Sequence, residues 1–158
     1  MLAIAPRPGP RPATHYGLPH QQLDQNPPRA IYDALLARFL ATPDTTSGPS
    51  LISVPGARAL FLGCEGPCNE TAFLRGREFV HVHPSEDGSF HMILAPDDCE
   101  AVLAAGWGEL HPLAAAGRVH PHALMVYAPR DEAEIETVLA IVAAARRFAM
   151  TPSQDVQQ

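Results

Sequence analysis

Histidine is concentrated in one part of this chain: six of its eight histidines lie between residues 81 and 122, and three share the run His81-Val-His83-Pro-Ser-Glu-Asp-Gly-Ser-Phe-His91. Imidazoles two apart on a β-strand point to one face. His91 joins them only if the run is a hairpin whose connection has an odd number of residues, because a one-residue slip turns a whole strand over. Glu86-Asp87-Gly88 fits a three-residue loop closed by Gly88 at positive φ, which would pair His83 with His91. Asp87-Gly88 alone is also a type I′ turn and would send His91 to the opposite face. Pro84, which lacks an amide donor, favours the longer loop.

Three chemistries suit such a cluster. Neutral imidazoles with a neighbouring carboxylate are ligands for Zn, Fe, Ni or Cu, and a set that leaves positions open admits oxygen or substrate. Without a metal, histidine titrates near neutrality and abstracts a proton from an enol or hydroxyl. In the third reading the rings are hydrogen-bonded inside a sheet and do no chemistry. Glu109 and His111, on a short connector after Trp107, are the candidates to complete the site. His120 and His122 flank Pro121 on an expected loop. Arg77 and Arg130 are candidate anion holders, with surface solvation the equal alternative, and Phe79 and Trp107 are candidate stacking partners for an aromatic substrate, with a place in the core the favoured alternative for each.

Composition removes several function classes. The chain has 158 residues and a formal net charge of -6, which argues against a general nucleic-acid binder. All eleven basic residues are arginine, so neither a Schiff-base lysine nor a P-loop lysine exists. No Gly-x-Ser-x-Gly elbow, Gly-x-Gly-x-x-Gly or His-Glu-x-x-His is present. Three cysteines, Cys64, Cys68 and Cys99, cannot make a four-cysteine zinc ribbon. With no secretory leader or membrane-length apolar run, the expectation is a cytoplasmic protein with reduced thiols and no membrane partner.

The elements that must position the histidines read as follows. Residues 1–25, with Pro6, Pro8, Pro10, Pro12 and Pro19, are expected to be a disordered proline-rich arm, and His15 and His20 within it are discounted as ligands. A helix is expected over 26–40, capped by Asn26 with Pro27 at its first position. Strands are expected at 51–54, 59–62, 77–83, 90–94 and 123–127, and helices at 95–106 and from Asp131 to about Met150. In the second helix Pro96, Asp97, Asp98 and Glu100 suit the positive end, so the helix dipole accounts for its acids. Residues 151–158 are expected to be a flexible tail. The class is α+β: an antiparallel sheet of about five strands in a single domain over 26–150, with helices mainly on one face. Val80, Val82 and Met92 would face the helices, and His81, His83 and His91 the other side.

Five motifs in order resemble the luciferase-like domain family, which includes the luciferases of bioluminescent fungi and many small bacterial proteins. They are Ile52-Ser-Val-Pro-Gly-Ala-Arg-Ala-Leu60, Gly76-Arg-Glu-Phe-Val-His-Val-His-Pro84, Gly88-Ser-Phe-His91, Gly106-Trp-Gly-Glu-Leu-His-Pro-Leu113 and Met125-Val-Tyr-Ala-Pro-Arg130. The resemblance spans roughly residues 30–147. It implies oxidation of a hydroxylated styryl-pyrone by molecular oxygen as co-substrate, with no known organic cofactor. Carried onto this chain, His81, His83, His91, Glu109 and His111 would line the substrate site. Apart from the resemblance, the residues leave two routes open: reaction with oxygen directly, or at a metal, Fe or Zn, held by His81, His83 and His91. The chain departs from the fungal pattern in having the proline-rich arm where those proteins have a membrane-anchoring segment. The function expected is oxygen-dependent oxidation of an enolic or aromatic small molecule. A non-catalytic binding module and a metal-dependent hydrolase are the alternatives.

Overall fold

A computed structural model describes residues 1–63 and 66–153. Cys64 and most of the expected tail lie outside the described residues. A small antiparallel ribbon, β1 (Thr14–His15) and β2 (Gln21–Gln22), precedes helix α1 (Arg29–Leu40). There follow β3 (Thr46–Pro49), β4 (Arg58–Phe61), a 3-10 turn at Glu70–Ala72, β5 (Glu78–Val82) and β6 (Phe90–Ile93). The chain then runs through α2 (Pro96–Ala104), β7 (Gly108–Leu110), α3 (Pro112–Ala115), β8 (Ala123–Val126) and α4 (Glu132–Met150). The main sheet has six antiparallel strands in the order β3-β4-β5-β6-β8-β7. The architecture is the α+β class expected, with one more strand.

Register organises the sheet into transverse rows. Leu60, Val80, Met92, Leu124 and Leu110 form one row, and Ala59, His81, His91, Met125 and Glu109 the next. Side chains of adjacent rows point to opposite faces. The first row packs with Leu35 and Phe39 of α1, Val102 of α2 and Ile135, Val138 and Val142 of α4 in one apolar core. Full burial of Phe39, Phe79 and Phe90 contributes about 1.5–3 kcal/mol each. The other row, with three of its five members polar, faces away from that core.

Several local expectations are corrected. Pro28, not Asn26, precedes α1. Asn26 instead donates from Nδ2 to the carbonyls of Gln22 and Asp87, and so ties the arm to the β5–β6 turn. The first strand of the sheet is Thr46–Pro49 rather than 51–54. Residues 51–53 form a bend, and Leu51 and Ile52 are exposed. An edge strand needs only backbone partners, so apolar content misplaced it. The connector after Trp107 contains β7, held by β8. Asp131 caps α4 as expected, its Oδ1 accepting from Glu134 N at 2.8 Å.

The largest difference is the arm. In place of disorder, residues 1–25 lie along α2, β7 and β8. Arg7 N donates to Ala105 O, the Arg11 guanidinium to Gly108 O and Leu103 O, and Trp107 Nε1 to Ala5 O. Gln22 is buried, its Oε1 accepting from Ala128 N. The prolines do exclude helix and inner strand, yet an extended segment is ordered when its amides and arginines find distant carbonyls.

Cys68 is disulfide-bonded, which departs from the reduced thiols expected. Cys99 is free and buried, and burial pushes its thiol up to about 11, far from a reactive thiolate.

Candidate functional site: a histidine-walled pocket

The β5–β6 connection is odd in length, so His81, His83 and His91 share a face. It is longer than expected, however. His81 pairs with His91, and His83 N donates to Ser89 O, leaving residues 84–88 as the loop. The reason is Asp87. Its carboxylate turns inward, where Oδ1 accepts from Ser89 N at 2.9 Å and Oδ2 from Gln22 N at 3.2 Å. Pro84 O accepts from both Asp87 N and Gly88 N, and Gly88 takes the positive φ of 79° that closes the turn.

Each ring has a defined polar partner. His81 Nδ1 lies 2.9 Å from Glu78 Oε1, and His83 Nδ1 lies 2.8 Å from Asp87 Oδ2 and 3.1 Å from Ser89 Oγ. Glu78 reaches His81 because the pairing with β4 shifts between Leu60 and Phe61. The bulge puts Glu78 beside the histidines and Phe79 into the core. Ser50 Oγ at 2.6 Å and Leu51 N at 2.8 Å also donate to Glu78. Burial alone would raise the Glu78 and Asp87 carboxyls. The hydrogen bonds just described outweigh it and hold both below the usual range.

The rings then run in sequence. His81 Nε2 is 3.1 Å from His91 Nδ1, and His91 Nε2 is 3.0 Å from His20 Nδ1. His20 Nε2 lies 3.5 Å from Glu109 Oε2. Glu109 also accepts from Thr14 Oγ1 at 3.2 Å, and with His20 this keeps its carboxyl low against the effect of burial. In the transverse row Met125 separates His91 from Glu109, and His20 from the arm bridges them above it. Burial lowers His81, although its bond to Glu78 opposes this. Burial and four neighbouring imidazoles lower His91 further, well below the usual histidine value. His111 is lowered to about 4, first by burial and then by His20 and His81. Its Nδ1 accepts from Leu113 N at 3.1 Å, so the neutral ring keeps its proton on Nε2 and is a donor.

These rings form one wall of a cavity of about 630 Å³. His20, His81, His83, His91, His111 and His120 line it, together with the apolar Ile52, Val54, Phe73, Leu74, Leu113 and Val119. Of the expected catalytic residues, the four histidines are brought together at the pocket, while Glu109 stands behind His20. None of the four expected substrate-binding residues lines it. Phe79 is in the core. Trp107 is buried against α2 and bonded to the arm. Arg77 lies on the surface over Phe73 and near Glu70. Arg130 pairs with Glu134 and Pro8 O. His120 reaches the cavity and His122 does not line it.

The residues missed are His20, Glu78 and Asp87. Glu78 and Asp87 stand three residues before His81 and four after His83, close enough for the sequence to have suggested them. Nothing local marks His20, which the arm delivers. One nitrogen from each of His81, His83 and His91 lies within 4.8 Å of the others, and the same holds for His20, His91 and His111. Both sets are close enough to share an ion.

Residues 76–145 match the Luciferase domain model. The luciferase of Armillaria gallica is 32% identical over 89% of this chain and 59% of its own length, and that of Armillaria ostoyae is 31% identical over the same shares. The luciferase of Neonothopanus nambi is 40% identical over 49% of this chain and 30% of its own length. The chain thus spans about three fifths of the Armillaria proteins. No solved structure matches. No helix among the described residues is long and apolar enough to cross a membrane. The segment from Gly76 to Ala145, which holds His81, His83, His91 and His111, is thus the part of the chain that matches the Luciferase domain model.

Proposed function

We propose that the chain catalyses the oxygen-dependent oxidation of an enolic or aromatic small molecule, a pyrone-like compound by chemical class, in the histidine-walled pocket. The observation that carries this reading is the pairing of carboxylate-oriented imidazoles with an apolar enclosure. Ile52, Val54, Phe73 and Leu113 suit a flat, poorly hydrated ring system, and the histidine wall suits its acidic hydroxyl. In the ion-free wall the enol proton passes to the bare Nε2 lone pair of His83, whose Nδ1 is held by Asp87. His111, neutral at pH 7 and protonated on Nε2, donates to the oxygen where negative charge collects. The resulting anion is electron-rich and delivers electrons to dioxygen as a C–O bond forms. The organic peroxide anion so made takes up a proton. The names of the fungal relatives support the same class of chemistry.

The test is oxygen uptake with hydroxypyrone and catechol-type substrates. Wild type consumes oxygen, and His83→Ala loses about 100-fold or more, the usual scale for removing a positioned acid–base group. Equal uptake by the two proteins removes the reading. Turnover that continues unchanged under nitrogen replaces it with hydrolysis.

A further inference from the structure

The ring chain closes on itself with every imidazole neutral only when a cation sits within it. Glu78 accepts from Ser50, Leu51 and His81, and Asp87 accepts from Ser89, Gln22 and His83, so both carboxylates stay ionised and only accept. His81 and His83 therefore carry their single proton on Nδ1, and each leaves a bare lone pair on Nε2. His81 Nε2 faces His91 Nδ1 at 3.1 Å. If nothing lies between them, His91 Nδ1 must supply the proton. His91 Nε2 must then accept from His20 Nδ1, and His20 Nε2 is left without a proton. That lone pair would face the Glu109 carboxylate at 3.5 Å in a buried position. His20 Nε2 is in fact a buried nitrogen with no hydrogen-bond partner.

A cation on His81 Nε2 and His91 Nδ1 reverses the polarity and leaves every imidazole of the chain neutral. His91 then donates from Nε2 to His20 Nδ1, and His20 donates from Nε2 to Glu109. Distances agree: two nitrogens held at about 2.0–2.1 Å by one ion are about 3.0–3.4 Å apart, and these two are 3.1 Å apart. His83 completes the set, within 4.8 Å of both. Each ring would be backed in the way metal-bound histidines are, by an acceptor on its other nitrogen.

We propose that His81 Nε2, His83 Nε2 and His91 Nδ1 bind a divalent transition-metal ion, with Glu78 and Asp87 orienting two rings and the His20–Glu109 pair orienting the third. Three neutral imidazoles select Zn, Fe, Ni, Co or Cu over Mg and Ca. Three protein ligands leave the remaining positions open to the pocket, where the ion supplies a Lewis-acidic centre beside the substrate. His111 is not a ligand, because its Nδ1 is spent on Leu113 N and its Nε2 keeps the proton. The arm thus supplies an outer partner of the site, and His20 and Glu109 are positioning residues.

The experiment is titration of the chelator-stripped full chain with Zn²⁺ by calorimetry and with Co²⁺ by visible absorption. One ion per chain is expected. His81→Gln and His83→Gln keep a donor for their carboxylates and should weaken binding by more than the ~10–100-fold that outer-partner changes cost. His20→Ala and Glu109→Gln should fall within that ~10–100-fold range, and His120→Ala should bind as wild type. Metal-free melting of each variant shows that it is folded. A wild type that binds no ion overturns the proposal, and a proton on His20 then closes the network. Loss of the ion in His120→Ala with retention in His83→Gln also overturns it. Equal affinity in His20→Ala removes the role of the arm. Binding is read without substrate, so it can fail while oxygen uptake stands, and the reverse.

Discussion

The β5–β6 hairpin and the N-terminal arm bring imidazoles to the same pocket by opposite means. In the hairpin, position follows from the ladder: once His81 pairs with His91, His83 is on their face, and the helix side is fixed by Val80, Val82 and Met92. The arm has no ladder to the sheet. Its own ribbon is two residues a side, and His20 is placed by long-range bonds from Gln22, Arg7, Arg11 and Asn26. A ladder is cooperative and specified locally, whereas a strap of separate hydrogen bonds is specified only by the surface it meets. Perturbing each region should therefore give different responses.

The largest effect is expected where the two meet. Gly88 closes the hairpin at φ 79°, and a Cβ there would lie 2.6 Å from Pro27 Cγ and 3.2 Å from Ala128 Cβ. Gly88→Ala should cost about 2–4 kcal/mol from left-handed strain plus overpacking. Urea unfolding measures it. A loss under 1 kcal/mol would mean that the arm, not the turn, yields. Next is Gln22→Ala, which orphans the buried Ala128 N–H and should cost about 1–3 kcal/mol. Hydrogen exchange should show faster opening in residues 13–25 and little change in β5 and β6. Equal acceleration in the hairpin would show that the two regions open as one unit.

How much was legible follows the same division. Alternation over 79–83 and 90–93 and a turn rich in Asp and Gly were enough to put three histidines on one face, because side-chain period and loop parity are local facts. The pairing missed by a residue on each strand because Asp87 points inward to His83 and Gln22, a tertiary choice. The apolar run at 51–54 reads as a strand yet lines the pocket, with Ile52 and Val54 facing the cavity. Phe79 was open to either the substrate or, by preference, the core, and the β4–β5 bulge puts it in the core. His20 could not have been found, since its partners stand 71 and 89 residues away in sequence and its neighbours Pro19, Gln21 and Gln22 carry no ligand pattern.

Acid should discriminate the regions more gently. His111 binds its proton less readily when folded, so between about 4 and its ordinary value of 6.5 the unfolded chain holds more protons. Stability therefore rises with pH across that window and is lost as pH falls through it. For the metal-free protein the His111 share is on the order of 1–2 kcal/mol, reduced from the full shift because the ring is half exposed. Comparing urea midpoints at pH 7 and pH 4.5 with those of His111→Asn isolates it. A pH dependence unchanged in the variant would assign the loss elsewhere in the ring chain. Glu109, held low by His20 and Thr14, adds its own share only below the ordinary carboxylate range.

The smallest effect should come from Arg77, at the mouth of the hairpin. Its guanidinium lies over Phe73 and 3.3 Å from Glu70, both side chains being substantially exposed. Such pairs are worth about 0–1 kcal/mol. Arg77→Ala should therefore stay within about 0.5 kcal/mol of wild type and leave oxygen uptake intact, because the charge never enters the cavity. Arg130, its counterpart on the arm side, donates to Glu134, Gln25 and Pro8 O. Arg130→Ala removes two anchors of a strap that has no ladder to replace them, those to Gln25 and Pro8 O, and should expose Trp107 to acrylamide quenching while Arg77→Ala does not. If the two variants behave alike, the arm is held by surface burial rather than by discrete bonds, and the contrast between ladder and strap fails.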